Sequence, residues 1–422
     1  MNSLFPYIKL VKENADYRRL WLAQSVSNFG DWFGLLALYA LIAKYSDSEF
    51  MLGLIIIVKM LSLAVFSPFA GYITDRFNRR KLMIMCDVLR SVAVLGILLV
   101  QSESMLWLAY VLTSVQMMIS AVFEPAKTAS IPNVTSKEDL VNANIISTAT
   151  WSIIFTSGMA LGGFATELMG IRSVLILDGM SYFVSAWFIY RAVIPQTKMS
   201  DDEKKRTRNP LVGIKEGFSY LFNHSDVWRP GIAKGTASLF IQGLVYMLII
   251  VSEEELRMGS IGLGLLYAAR GIGTGVGPVV ARRVFKDESD WVKLMGISIT
   301  LVGVMYLVVG YTHVIWVMLI FVFLAHCASG ANWVTSTVLL QKRTDDIFRG
   351  RVFSSEWLLF TLTNTISVSI ASLVLEFELI EVKPLMMIFA AAMIGGGLIW
   401  SFTVTRWERG FQLAMKNGSI KN

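Results

Sequence analysis

Gly71-Tyr72-Ile73-Thr74-Asp75-Arg76-Phe77-Asn78-Arg79-Arg80-Lys81 is the stretch on which the reading of this chain turns. It closes one apolar run of membrane-spanning length and opens another, so it must be a tight connection between two buried helices. One acid and four bases share it. Gly71 lets two helices approach closely, and Asn78 can take the left-handed conformation that ends a helix. Asp75 is suited to accept hydrogen bonds from the unpaired N–H groups at the start of a neighbouring helix.

The rest of the chain has the same character. Of 422 residues, 55% are hydrophobic and only 16% are charged. The apolar residues come in blocks of roughly 20, the length at which a helix crosses a bilayer. Twelve spans are predicted, at 20–43, 50–74, 82–101, 105–127, 141–165, 170–193, 230–252, 259–281, 291–310, 314–340, 351–375 and 383–405. A net charge of +7 would suit a nucleic-acid partner, but the placement of the charge excludes one. Most of the 38 lysines and arginines fall in alternate connections, while the opposite set carries Glu253-Glu254-Glu255, Glu376, Glu378 and Glu381. That asymmetry puts both termini in the cytoplasm. Met1–Arg19 has no signal-peptide pattern.

The only long polar stretch runs from 194 to 229. Lys198–Arg208 reads as a charged linker, and Leu211, Ile214, Phe218, Leu221 and Phe222 recur at the spacing of a surface amphipathic helix. The expected domains are therefore a six-helix bundle over 1–193, this linker over 194–229, and a second bundle with a cytoplasmic tail over 230–422. Asn133–Leu140 is echoed by Gln341–Phe348, and Gly53…Pro68…Asp75 by Gly262…Pro278…Arg282-Arg283. These echoes fit two parallel repeats. The fold class is an all-α membrane protein, twelve transmembrane helices in two six-helix pseudo-repeats.

Cys86 and Cys327 fall in or beside apolar spans and suggest neither a disulfide nor a metal site. The chain has no phosphate-binding Gly-x4-Gly-Lys-Ser/Thr and no His-Glu-x-x-His, so it reads as neither a nucleotide-driven pump nor a zinc hydrolase, and no cofactor or metal is expected. Polar residues inside spans cost roughly 2.5–3.5 kcal/mol each to insert, which makes Asp31, Lys59, Asp178, Arg270 and His326 the candidates for a substrate or proton pathway. Asp31 lies about 18 Å beyond Arg19 along its helix, near mid-membrane. A bare carboxylate there must be protonated, paired with a base such as Arg270 or Lys59, or alternate between the two. Arg270, among five nearby glycines, could hold an anion. Lys59 and Asp178 have a structural alternative as a pair, and His326 has one as a packing residue. Asp87 and Arg90, three apart, are expected to pair with each other or with the basic loop.

The opening stretch resembles the Gly-x-Leu-Ala-Asp-Arg-x-Gly-Arg-Lys loop between the second and third helices of the major facilitator superfamily. It departs from that pattern where Ile73 replaces Leu, Thr74 Ala and Asn78 Gly. Twelve spans, a 6+6 division and cytoplasmic termini extend the resemblance over nearly the whole chain. Phe29-Gly30-Asp31, Pro125…Pro132…Leu140…Ala143-Asn144 and Arg349-Gly350-Arg351-Val352 are similar to the bacterial drug- and siderophore-exporter branch that includes macrolide efflux proteins. Lysophospholipid flippases share the first two. The exporters' Gly-Pro-rich run has only a partial counterpart in Gly158–Gly163, where Met159 stands for Pro.

The resemblance implies the major facilitator fold and alternating access in a bacterial inner (plasma) membrane. It implies a monomer that exports amphipathic or cationic small molecules in exchange for protons. A lysophospholipid flippase without proton coupling, or a transporter-like receptor that binds without transport, would carry the same pattern. It also implies a gating loop of Gly71, Asp75, Arg76, Arg79 and Arg80. There Asp75 would meet the start of the eleventh helix with its bases Arg349 and Arg351, and Arg79 would pair with Glu124.

Overall fold

A computed structural model describes residues 5–46, 49–196 and 210–416; the predicted linker Lys198–Arg208 lies outside the described residues. Fifteen α-helices are described. They are α1 (Phe5–Glu13), α2 (Ala15–Tyr45), α3 (Glu49–Arg76), α4 (Arg79–Gly96), α5 (Leu106–Val134), α6 (Leu140–Met169), α7 (Ile171–Arg191), α8 (Pro210–Asn223), α9 (Ser225–Ile250), α10 (Gly259–Val284), α11 (Trp291–Tyr311), α12 (Ile315–Arg343), α13 (Arg349–Glu376), α14 (Val382–Phe402) and α15 (Val404–Lys416). No strand occurs among the described residues. Hydrocarbon offers no partner for a free N–H or C=O, so helices that satisfy their own backbones are the expected result of such a sequence. Eleven helices are long and apolar enough to cross a membrane, and α6 adds a shorter apolar segment, Leu140–Phe155.

The side chains are arranged for lipid. On α3, Ile56, Ile57, Met60, Leu61 and Val65 form an exposed apolar stripe, while Ser62 turns inward and shares a 2.7 Å hydrogen bond with Ser114 of α5. Polar links of this kind recur between helices. Trp21 Nε1 donates to Thr150 Oγ1 of α6 at 2.9 Å, Ser91 Oγ to the Gly179 carbonyl of α7 at 2.7 Å, and Trp400 Nε1 to the Val292 carbonyl of α11 at 2.9 Å. The small-residue run in α6 is a packing face, because a Cβ on Gly158 would lie 2.9 Å from the Trp32 Cβ of α2.

The chain forms two compact units, 1–220 with 344–358, and 221–343 with 359–422. In the first, α2 packs on α7 and α6, α3 on α5, and α4 on both α5 and α7. In the second, α9 packs on α14, α10 on α12, and α11 on both α12 and α14. Counting spans within each half, first meets sixth, second meets fourth, and third meets fourth and sixth. The same pairing order in both is the structural form of the two pseudo-repeats.

The connection from α3 to α4 differs from expectation in one respect. Asn78 is not left-handed; at φ −65° and ψ 114° it is the N-cap of α4, its side chain accepting from the Lys81 N–H at 3.0 Å. A helix start, not a helix end, claims this residue.

Candidate functional site

The first unit holds two polar assemblies. The first lies at the end of the bundle where α3 turns into α4. Asp75 is buried in the last turn of α3, opposite the first turn of α13. Its Oδ1 accepts from the Gly350 N–H at 2.8 Å, and its Oδ2 from the N–H and Nε of Arg351 at 3.0 and 3.1 Å. These N–H groups have no partners within their own helix, and the helix dipole favours an anion in front of them. The approach requires bare backbone on both sides. A Cβ on Gly71 would lie 2.7 Å from Arg351 Cα, and one on Gly350 would collide with Asp75 itself.

Charge is balanced around this cap. Arg79, only 1% exposed, reaches Asp75 at 3.3 Å and Asp346 at 2.6 Å. Arg349 contacts Asp346 at 3.2 Å and donates to Asn133 Oδ1 at 2.8 Å. Arg351 reaches Glu216 of α8 at 2.7 Å. Three carboxylates thus face three guanidinium groups. Arg76 bonds to the Tyr72 hydroxyl, and Arg80 to the carbonyls of Ile189 and Tyr190 at the end of α7. The expected Arg79–Glu124 pair does not form: Glu124 is taken by Lys127, one turn away on α5, and Asp346 takes its place beside Arg79.

The second assembly is deeper in the same unit. Asp31 of α2 accepts from the Tyr182 hydroxyl of α7 and from Gln116 Nε2 of α5 at 3.2 Å; Gln116 also donates to the Tyr182 oxygen at 2.8 Å. Arg90 of α4 stacks over the rings of Phe123 at 4.1 Å and Tyr182 at 4.5 Å, and pairs with Asp87. Asp87 in turn accepts from Ser185 Oγ at 2.7 Å. The Asp87–Arg90 pair expected at the membrane surface is therefore fully buried and belongs to this cluster. Asp178 lies against α2, where side chains on Gly30 and Gly34 would strike its carboxyl group. Lys59 of α3 is within electrostatic range of both Asp31 and Asp178 but forms no ion pair or hydrogen bond among the described residues.

Sequence reasoning singled out Asp31, Lys59 and Asp178, and the structure brings them into one bundle. It missed Tyr182 and Gln116, the groups that bond to Asp31. Their signal was present: a glutamine in the middle of the fourth span is a polar group that hydrocarbon does not solvate, and Tyr182 lies one helical turn from Asp178.

Arg270 and His326 lie in the second unit. His326 Nε2 is 3.0 Å from the Tyr306 hydroxyl, both buried, which makes the histidine a satisfied packing residue. Arg270 is half-buried with its guanidinium 5.4 Å from the centre of the Tyr267 ring, and no carboxylate pairs with it among the described residues. Both cysteines are free.

Comparison with known proteins agrees with the geometry. Residues 20–372 match the family model described as Major Facilitator Superfamily. The chain is 26% identical over 348 residues to the putative bacilysin exporter BacE of Bacillus amyloliquefaciens, covering 82% of this chain and 85% of that one. It is 21% identical over 370 residues to macrolide efflux protein A of Streptococcus pyogenes, covering 84% and 88%. Among solved structures, the human organic anion transporter MFSD10 (TETRAN) superposes with a TM-score of 0.72 at 15% identity, over 93% of this chain and 99% of that one. A bacterial homologue of the iron transporter ferroportin, in its outward-facing state, gives 0.71 at 12% identity, over the same 93% and 99%. At such identities these structures speak for the fold alone. Twelve helices in paired repeats, an acid-capped helix start and a family match over residues 20–372 lead to one conclusion: this chain belongs to the Major Facilitator Superfamily and is a multi-pass membrane transporter, not an enzyme.

Proposed function

We propose that the protein is a proton-driven exporter of amphipathic or cationic small molecules, working by alternating access in a bacterial plasma membrane with both termini in the cytoplasm. The observation that carries this reading is the charge imbalance of the deep cluster. Asp31, Asp87 and Asp178 stand against Arg90 and Lys59, one carboxylate more than the bases can neutralise. In a low-dielectric bundle a net negative charge is unfavourable unless a proton or a cation joins it. A proton and a cationic substrate competing for that one charge is the elementary requirement for exchanging one against the other. Relatives named as bacilysin, macrolide and multidrug exporters support outward transport. The cap on α13 supports a conformational role for Asp75, since a broken cap leaves buried donors and acceptors unpaired and so separates two discrete states.

Proteoliposomes with an imposed pH gradient test the reading. Uphill movement of a cationic dye that collapses with the gradient, and is lost in Asp31→Asn, is the expected result. Gradient-independent movement of lysophospholipid would replace this reading with that of a flippase, and binding without flux would make the chain a receptor.

A further inference from the structure

Two of the deep carboxyl groups, Asp31 and Asp178, differ in what surrounds them, and the difference separates their roles. Asp31 receives hydrogen bonds from a phenol and an amide, and Arg90 lies within electrostatic range. Those are the surroundings of an anion: donors aimed at one oxygen and a fixed positive charge behind them. Asp178 has no such hydrogen bonds, although Arg90 and Lys59 act on it from a distance as well. It is 4% exposed, its Oδ1 is buried with no hydrogen-bond partner, and neither oxygen meets a base or a donor among the described residues. The nearest hydroxyl, Ser181 Oγ, is committed to the Asp178 backbone carbonyl at 2.7 Å. The Gly30 and Gly34 backbone of α2 closes the other side, leaving little room for water.

The charged and titratable groups around Asp178 are Asp31 on α2, Lys59 on α3, Arg90 on α4 and Tyr182 on its own helix. Beyond them, Asp87 and Glu124 act on Asp31 or its partners. The two acids repel each other, and Arg90 is held by Asp87. Lys59 alone is an unengaged base. A carboxylate without donors, in a closed slot beside a second carboxylate, is the costly form; the neutral acid is the form this slot accommodates.

We propose that Asp178 carries the exchanged proton while Asp31 remains ionised, and that Lys59 is the base Asp178 meets once the proton has left. The step is simple. The O–H bond of Asp178 breaks, the proton passes to water, and the new carboxylate is met by the Lys59 ammonium; the cluster is then left with one net negative charge, which a cationic substrate can neutralise. This assignment rests on the exporter reading for its purpose, but not for its test.

Infrared spectroscopy of the full-length protein in lipid detects the carbonyl stretch of a protonated carboxylic acid without any substrate. The band should be present in the wild type, absent in Asp178→Asn and retained in Asp31→Asn. Asn matches the neutral acid in shape, so folding should survive; Asp178→Glu should shift the band and not remove it. A wild type without the band, or a band that persists in Asp178→Asn, overturns the assignment. A wild type that shows the band on Asp178 but whose flux ignores the pH gradient keeps the assignment and loses the exporter reading.

Discussion

Asp75 and Arg351 meet two ways at once: one carboxylate oxygen accepts from both the backbone N–H and the Nε of Arg351, while the other accepts from the N–H of Gly350. The contact is therefore a helix cap and an ion pair in the same few ångströms. A hydrogen bond to a charged group is worth about 1.5–3 kcal/mol, so the whole cap can bias a conformational equilibrium by well over tenfold.

Asp75→Asn keeps the shape but removes the charge and turns one acceptor into a donor that faces N–H groups. Transport should fall several-fold at matched expression, while membrane insertion is unchanged. The check is initial-rate flux together with labelling of a cysteine placed at the start of α13, which should become more accessible.

Gly350→Val and Gly71→Val test the close approach that the cap needs. Each would drive side-chain atoms into Asp75 or the Arg351 backbone, a cost of about 1–3 kcal/mol by the usual penalty for overpacking. Thermal unfolding in detergent should show both variants less stable than wild type. Gly395→Val, at a glycine whose Cβ would meet nothing within 4 Å, is the control.

The Asp87–Arg90 pair gives a sharper stability test, since both side chains are buried. Removing one partner from such a pair typically costs about 3–5 kcal/mol, because the other is left as an uncompensated charge. Arg90→Met should therefore lower the unfolding temperature more than the double variant Asp87→Leu/Arg90→Met does. A double-variant loss equal to the sum of the Arg90→Met and Asp87→Leu losses would mean the two residues are not coupled.

Orientation is tested by reporter fusions. Fusions after Arg80 and Asn223 should report the cytoplasm, and those after Gln101 and Arg257 the outside. Reversal at two of the four sites would remove the proposed topology.

The spans were legible in the sequence because lipid leaves the backbone almost no choice. A run of twenty apolar residues must be a helix whatever its neighbours do. Partners were not legible in the same way. The Asp75 contact with α13 could be anticipated only through a family resemblance, and Arg79 was assigned to Glu124 when Asp346 holds it. Hydropathy says that a side chain is inside but not toward which helix it points. Lys127, three residues from Glu124 on the same face, had the prior claim by simple helix geometry. Asp31 was identified as costly, yet its donors come from spans four and six, distant in sequence and uncharged. Asn78 failed differently: its local chemistry allowed both ends of a helix, and the Lys81 N–H decided between them.

The slot in which Asp178 sits bears on how natural variants should be read. Gly30 and Gly34 carry no charge, bind nothing and would pass as neutral in any scan for functional chemistry. Yet an alanine at either position would have to displace the carboxyl group from its place. Loss of transport from such a variant would leave every ionisable residue intact. Two unremarkable glycines on successive turns of α2 are thus as much a part of the acid's definition as its own oxygens, and drift at those positions is constrained by a side chain on another helix.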